Sequence, residues 1–183
     1  MKVLVIVDMQ NDFIDGSLGT DEAKAIVPNV VRKIEQSTGD LILFTKDTHS
    51  SDYLETQEGR NLPIEHCIEE TNGWMIHDDV RNAWLRNIKT VIDSNIKDNT
   101  ICKNTFGSKD LVKHLEKLEA NINEIEFVGL CTDVCVISNA ILVKAFLPEV
   151  KITVDASCCA GVTPESHNIA LDAMRACQIN VIN

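Results

Sequence analysis

Four segments of this chain read as nearly unbroken apolar strands: Lys2 to Val7 (KVLVIV), Asp40 to Phe44, Glu126 to Leu130 and Lys151 to Val154. A strand whose apolar residues do not alternate with polar ones must be covered on both faces, which is the condition of a parallel sheet between two helical layers. Thr100 to Cys102 and Ile179 to Ile182 are weaker strand candidates. Amphipathic stretches lie between them, at Asp21 to Gln36, Val80 to Asn95, Lys109 to Leu118, Val134 to Phe146 and Glu165 to Cys177, the last preceded by Pro164 at a helix opening. This βα alternation predicts an α/β fold: a Rossmann-like, doubly wound, six-stranded parallel sheet flanked by helices on both faces. With 183 residues, 44% of them hydrophobic, the chain suits a single domain over residues 1–183.

One stretch breaks the rhythm. Asp47 to Trp74 has neither helical nor strand period and is rich in Asp, Glu, His, Gly, Pro and Asn. A loop that long inside a compact domain points to function. In open α/β sheets ligands bind beyond the carboxyl ends of the strands. Those ends carry Asp8, Asp47 with His49, Lys103, and the turn from Leu130 to Cys135, so the reactive residue types converge on one edge.

Bulk properties exclude several classes of partner. A net charge of −11 with no basic stripe argues against nucleic acid. The longest early apolar run, Val3 to Val7, is too short for an export signal or a membrane span. Seven cysteines in irregular spacing, in a chain able to build an adequate core, favour reduced thiols and a cytoplasmic protein.

The turn Gly129-Leu-Cys-Thr-Asp-Val-Cys135 has a strand ending at Leu130 and Thr132 or Asp133 as a cap for a helix near Val134. Cys135 would then sit in the first helical turn, where the dipole favours thiolate and lowers its pKa. Cys131 competes for the role but gains less from the helix. A carboxylate at Asp8 can take a thiol proton, hold a magnesium ion or cap a turn, and Lys103 alone would pass for solvated surface. Together Asp8, Lys103 and Cys135 make a base, a cation and a nucleophile. Asp47, His49 and His66 offer a carboxylate and two imidazoles to a transition metal, with Glu58 as a further oxygen ligand. Asp47 and His49, two apart on an extended segment, project the same way. His77, His114 and His167 read as structural or exposed.

These stretches resemble the isochorismatase-like cysteine hydrolases, and within them the nicotinamidase/pyrazinamidase branch. The matching motifs are VDMQNDFIDGSLG (Val7 to Gly19), KDTHS (Lys46 to Ser50), LPIEHC (Leu62 to Cys67), CKNTFGS (Cys102 to Ser108), GLCTDVCV (Gly129 to Val136) and VDASCCAGVTPESH (Val154 to His167). The resemblance implies a catalytic Asp8, Lys103 and Cys135 and a metal held by Asp47, His49 and His66, a set that isochorismatases proper lack. It also implies a cis peptide at Leu130-Cys131, oxyanion donors in the backbone N–H groups of Cys131 and Cys135, and a homo-oligomer. The cofactor implied is a divalent metal ion, zinc first, with manganese or iron as alternatives.

The substrate implied is nicotinamide, deamidated through a thioester. Two departures bear on it. Leu62 stands where nicotinamidases often carry a Trp that stacks on the pyridine ring, and Glu70 stands where Gly is common. Phe13, Trp74 and Phe106 are left to wall an aromatic pocket with Leu62. The rival readings are a hydrolase of another small amide, ureido or carbamoyl compound, favoured by Leu62, and a catalytically silent ligand-binding protein on the same fold.

Overall fold

The computed structural model describes residues 1–88 and 99–183. Six strands form one parallel sheet: β1 (Lys2–Val7), β2 (Leu41–Asp47), β3 (Thr100–Lys103), β4 (Glu124–Leu130), β5 (Lys151–Ala160) and β6 (Asn180–Ile182), in the order β3-β2-β1-β4-β5-β6. The predicted architecture is therefore the observed one. Strand order reverses direction between β1 and β4, the switch point at which such sheets open a crevice.

Successive residues of β1 bury on opposite faces. Val3, Val5 and Val7 join a core with Leu111, Val112, Val136, Ala140, Leu171 and Met174, which come from α5 (Lys109–Glu116), the Thr132–Val136 turn, α6 (Ile137–Phe146) and α7 (Pro164–Ala176). Leu4 and Ile6 join the other core with Ala23, Ile26, Val30, Ala83 and Trp84, from α2 (Asp21–Gln36) and α4 (Asp78–Ile88). Period-two side chains with both faces covered explain the unbroken apolar run. Two shorter helices, α1 (Asn11–Ile14) and α3 (Gln57–Asn61), lie in the loops after β1 and β2.

Helix α2 begins where expected because Thr20 caps it, its side chain accepting from Ala23 N–H, and Pro28 sits within it without ending it. The predicted helix Val80 to Asn95 is observed as α4 up to Ile88; its residues 89–95 lie outside the described residues. Strand β5 runs six residues beyond the predicted Val154. Its register against β4 shifts between Phe127 and Gly129, so Asp155 to Cys158 form the irregular step between Val154 and the resumed pairing at Cys159. Gly129 makes that step feasible: its φ is +117°, and a Cβ there would lie 2.1 Å from the Val7 carbonyl oxygen. Among the described residues, no helix is long and apolar enough to cross a membrane.

Candidate active site

Each strand of the β3-β2-β1-β4 half delivers one reactive residue to the carboxyl edge. Asp8 follows β1 with φ +47°, a left-handed conformation that Asp tolerates better than bulkier residues, and it is wholly buried. Lys103 ends β3 and turns its ammonium to 2.7 Å from Asp8 Oδ2, 3.3 Å from Asp47 Oδ1 and 3.5 Å from Cys135 Sγ. Thr45 donates to Asp8 Oδ1 at 2.7 Å, fixing the carboxylate from β2. The Leu130-Cys131 peptide is cis, and Cys135 lies in the π-helical turn Thr132–Val136 that leads into α6.

Electrostatics correct one expectation. Cys135 does not have the lowered thiol that a helix start alone would give. Burial, then the facing Asp8 charge, raise its thiol well above the ordinary value, and Lys103 only partly offsets them. Burial also pushes the Asp8 carboxyl up against the lowering effect of Lys103. Lys103 is held well above its usual value because Asp8, Cys135 and Asp47 outweigh the burial that would lower it. The site therefore sets a raised thiol and a raised carboxyl beside a cation held in its charged form. The expected cap is corrected too: the turn already begins at Thr132, which leaves Cys131 at the cap position with no side-chain cap, and Thr132 and Asp133 make their bonds elsewhere.

Asp47 joins this group to a second one. Its Oδ2 lies 2.9 Å from His49 Nε2 and 3.5 Å from His66 Nε2, and Glu58 Oε1 is 3.8 Å from both imidazoles. All four side chains present ligand atoms within 4.8 Å of one another. Asp47 and His49 come from the end of β2 and the residues after it, Glu58 from α3, and His66 from the loop beyond. His66 Nδ1 bonds the Ile64 carbonyl at 2.8 Å. That contact favours a protonated Nδ1 and leaves the Nε2 lone pair facing two carboxylates, an arrangement a cation between them satisfies. Tyr53 packs its ring 4.6 Å from His49 and 4.9 Å from His66, bracing both. The donor set fits a divalent metal of the zinc, manganese or iron type.

Between the two groups lies a cavity of about 170 Å³ lined by Phe13, Leu62, Phe106, Leu130, Cys131 and Cys135, with Asp47, Glu58 and His66 on its floor. It adjoins a larger open hollow of about 850 Å³ over His49, Tyr53 and Asn104. Trp74 is not among the lining residues, contrary to the sequence expectation. Its indole N–H donates to Thr48 Oγ1 at 2.8 Å, and the Lys46 ammonium sits 2.8 Å from the ring centroid, so the ring is engaged by Lys46 and Thr48.

Sequence reasoning missed residues that carry no reactive group. Leu18, Thr20, Ala23, Val134, Gly161 and Val162 complete the cavity wall. Gln10 grips Asp47 from both sides, its amide N–H donating to the Asp47 carbonyl at 2.8 Å and its carbonyl accepting from Asp47 N–H at 2.7 Å. Its only signal was membership of the QNDF motif.

Comparison with known proteins places this geometry. The nicotinamidase of Saccharomyces cerevisiae is 25% identical over 218 residues, spanning all of both chains. The crystal structure of a nicotinamidase/pyrazinamidase from Bacillus subtilis superposes with a TM-score of 0.82 at 26% identity, over 100% of this chain and 99% of that one. The structure of a pyrazinamidase of Pyrococcus horikoshii in complex with zinc has a TM-score of 0.75 at 24% identity, covering 100% and 98%. The isochorismatase domain matches residues 2–183, and the chain therefore belongs to the isochorismatase family.

Proposed function

We propose that the protein is a cysteine amidohydrolase of the nicotinamidase type, a single catalytic domain over residues 1–183 that converts nicotinamide to nicotinate and ammonia. The observation that carries this reading is the contact set of Lys103, whose ammonium touches Asp8, Cys135 and Asp47, the last two of which line one small cavity. Asp8 takes the Cys135 proton as sulfur attacks the amide carbon. Lys103 and the backbone N–H groups of Cys131 and Cys135 face the oxyanion. Asp8 then protonates the departing nitrogen, the C–N bond breaks, and a thioester remains on Cys135. Water adds to the thioester carbon, gives its proton to Asp8, and releases nicotinate and the thiol. General acid–base help of this kind is worth about 10² to 10⁴ in rate, and each oxyanion donor about 10² to 10³.

Asp47, His49 and His66, with Glu58 beside them, would hold a divalent ion, zinc by preference and manganese or iron as alternatives. Such an ion would supply Lewis-acid polarisation to a heteroaromatic ring in the cavity. Phe13, Leu62 and Phe106 enclose the ring; Leu62 gives it an aliphatic rather than a stacked face. The same reading has the protein acting on a free small amide in the cytoplasm, as a homo-oligomer.

The second reading, a hydrolase of another small amide, ureido or carbamoyl compound, keeps Cys135 and rests on Leu62. Chromatographic detection of nicotinate from nicotinamide, beside a panel of carbamoyl and ureido compounds, separates the two. Turnover of nicotinamide supports the first; turnover confined to the panel supports the second.

A further inference from the structure

The nucleophile turn lacks the cap that usually fixes such a helix start. From within, the Cys131 carbonyl closes it by accepting from Val134 N–H at 3.1 Å and Val136 N–H at 3.0 Å, and from α6 the Asn139 amide donates to the Cys135 carbonyl at 2.8 Å. Thr132 and Asp133, the first two residues of the turn, reach across to the segment that opens α7. The buried Thr132 hydroxyl meets His167 Nδ1 at 2.8 Å, and the Asp133 carboxylate accepts from Val162 N–H at 3.1 and 3.3 Å. His167 is well anchored for such a contact. It lies in the first turns of α7, behind a reciprocal capping box between Thr163 and Ser166. Its backbone packs so closely on Gly161 that a Cβ there would lie 2.9 Å from His167 N.

We propose that His167 is a positioning residue for the reaction: through Thr132 it holds the turn that aims Cys135, standing in for the missing helix cap. The inference rests on Cys135 being the nucleophile of the amidase reading. His167 touches neither the cavity nor Lys103, so its removal should leave substrate binding intact and misdirect the sulfur. A misplacement of about 1 Å can cost on the order of 10²-fold in rate. Asparagine at position 167 can place an amide group near where Nδ1 now lies; alanine leaves Thr132 without its partner.

The experiment compares wild type, His167→Ala and His167→Asn on nicotinamide, with melting temperature measured alongside. The expected result is a kcat about 10- to 100-fold lower in His167→Ala at unchanged KM, largely restored in His167→Asn. Wild-type kcat in the alanine variant, or an asparagine variant as slow as alanine, overturns the proposal. Should His167→Ala fail to fold, Thr132→Val removes the same bond from the other side within an isosteric shape, and must show the same loss of kcat. If wild type itself hydrolyses no nicotinamide, the amidase reading fails separately. The brace is then read from the iodoacetamide alkylation rate of Cys135, resolved by peptide mass mapping. A rate altered in the alanine variant and restored by asparagine upholds the brace; equal rates in all three proteins overturn it.

Discussion

Lys33 offers a test of the fold that is independent of catalysis. It projects from α2 onto the sheet, where its Nζ lies 2.7 Å from Glu126 Oε1 and 2.6 Å from Asp155 Oδ2. The two carboxylate side chains are 1% and 2% exposed. Lys33→Met keeps the packing of the stem and deletes the charge, leaving Asp155 without its cation and Glu126 with Lys2 alone. Breaking a buried pair from one side costs about 3 to 5 kcal/mol. Because Lys33 is 20% exposed and Lys2 remains, the lower figure applies. At about 2 to 4 °C per kcal/mol for a domain of this size, a loss of about 3 kcal/mol lowers the melting temperature by about 6 to 12 °C. Thermal and urea unfolding at pH 7, followed by circular dichroism, read it directly. Arg86→Ala is the control, since the Arg86–Glu35 pair is 57% and 46% exposed and its loss costs no more than about 1 kcal/mol.

The pH dependence has a definite sign. Burial pushes the Asp155 carboxyl up, but hydrogen bonds with Lys33, Ser157 and Asn183 prevail and hold it below the usual carboxylate range. A depressed pKa contributes stability that is complete above the unfolded value of about 3.9 and disappears as pH falls through the folded value. Lys33→Met should therefore narrow the stability difference between neutral and acid conditions. A variant that melts with the wild type and keeps its acid profile refutes the reasoning.

Other outcomes follow from the site. Trp74→Phe should leave kcat and KM near wild type, because the ring faces Thr48 and Lys46; a large rise in KM would return Trp74 to the pocket. Asp47→Asn and His66→Ala should each lower bound metal in elemental analysis of the purified protein, and full metal content in both would remove the metal centre from these residues. Cys131→Ala should retain far more turnover than Cys135→Ala, since the Lys103 ammonium lies 3.5 Å from the Cys135 sulfur and no such contact reaches that of Cys131 among the described residues. Equal losses would make Cys131 the competing nucleophile. Val162→Trp should fill the cavity and raise KM on a folded protein; an unchanged KM would mean that substrate binds elsewhere.

Much of this was legible before the structure because the signals were local. The apolar runs of β1 and β4 stated their two-sided burial, and the amphipathic period of Asp21 to Gln36 marked α2. The reactive residues were found because strand ends converge in any sheet of this order. What escaped depended on contacts between distant segments. Thr132 and Asp133 look like caps in sequence, and only the approach of residues 161–167 shows where their bonds go. The dipole argument for Cys135 was sound locally, yet complete burial beside Asp8 outweighs it. Trp74 stands in a loop without period, so no pattern told that Lys46 and Thr48 would engage it. The extension of β5 past Val154 was hidden because the apolar run ends there, and pairing with β4 resumes only after a register shift.

The most direct test of the central claim is ammonia release from nicotinamide by the purified, metal-loaded protein, with Cys135→Ala measured beside it. The account predicts release by the wild type and none by the variant, with both proteins folded. Release that persists in Cys135→Ala, or its absence from a folded and metal-loaded wild type, would contradict it.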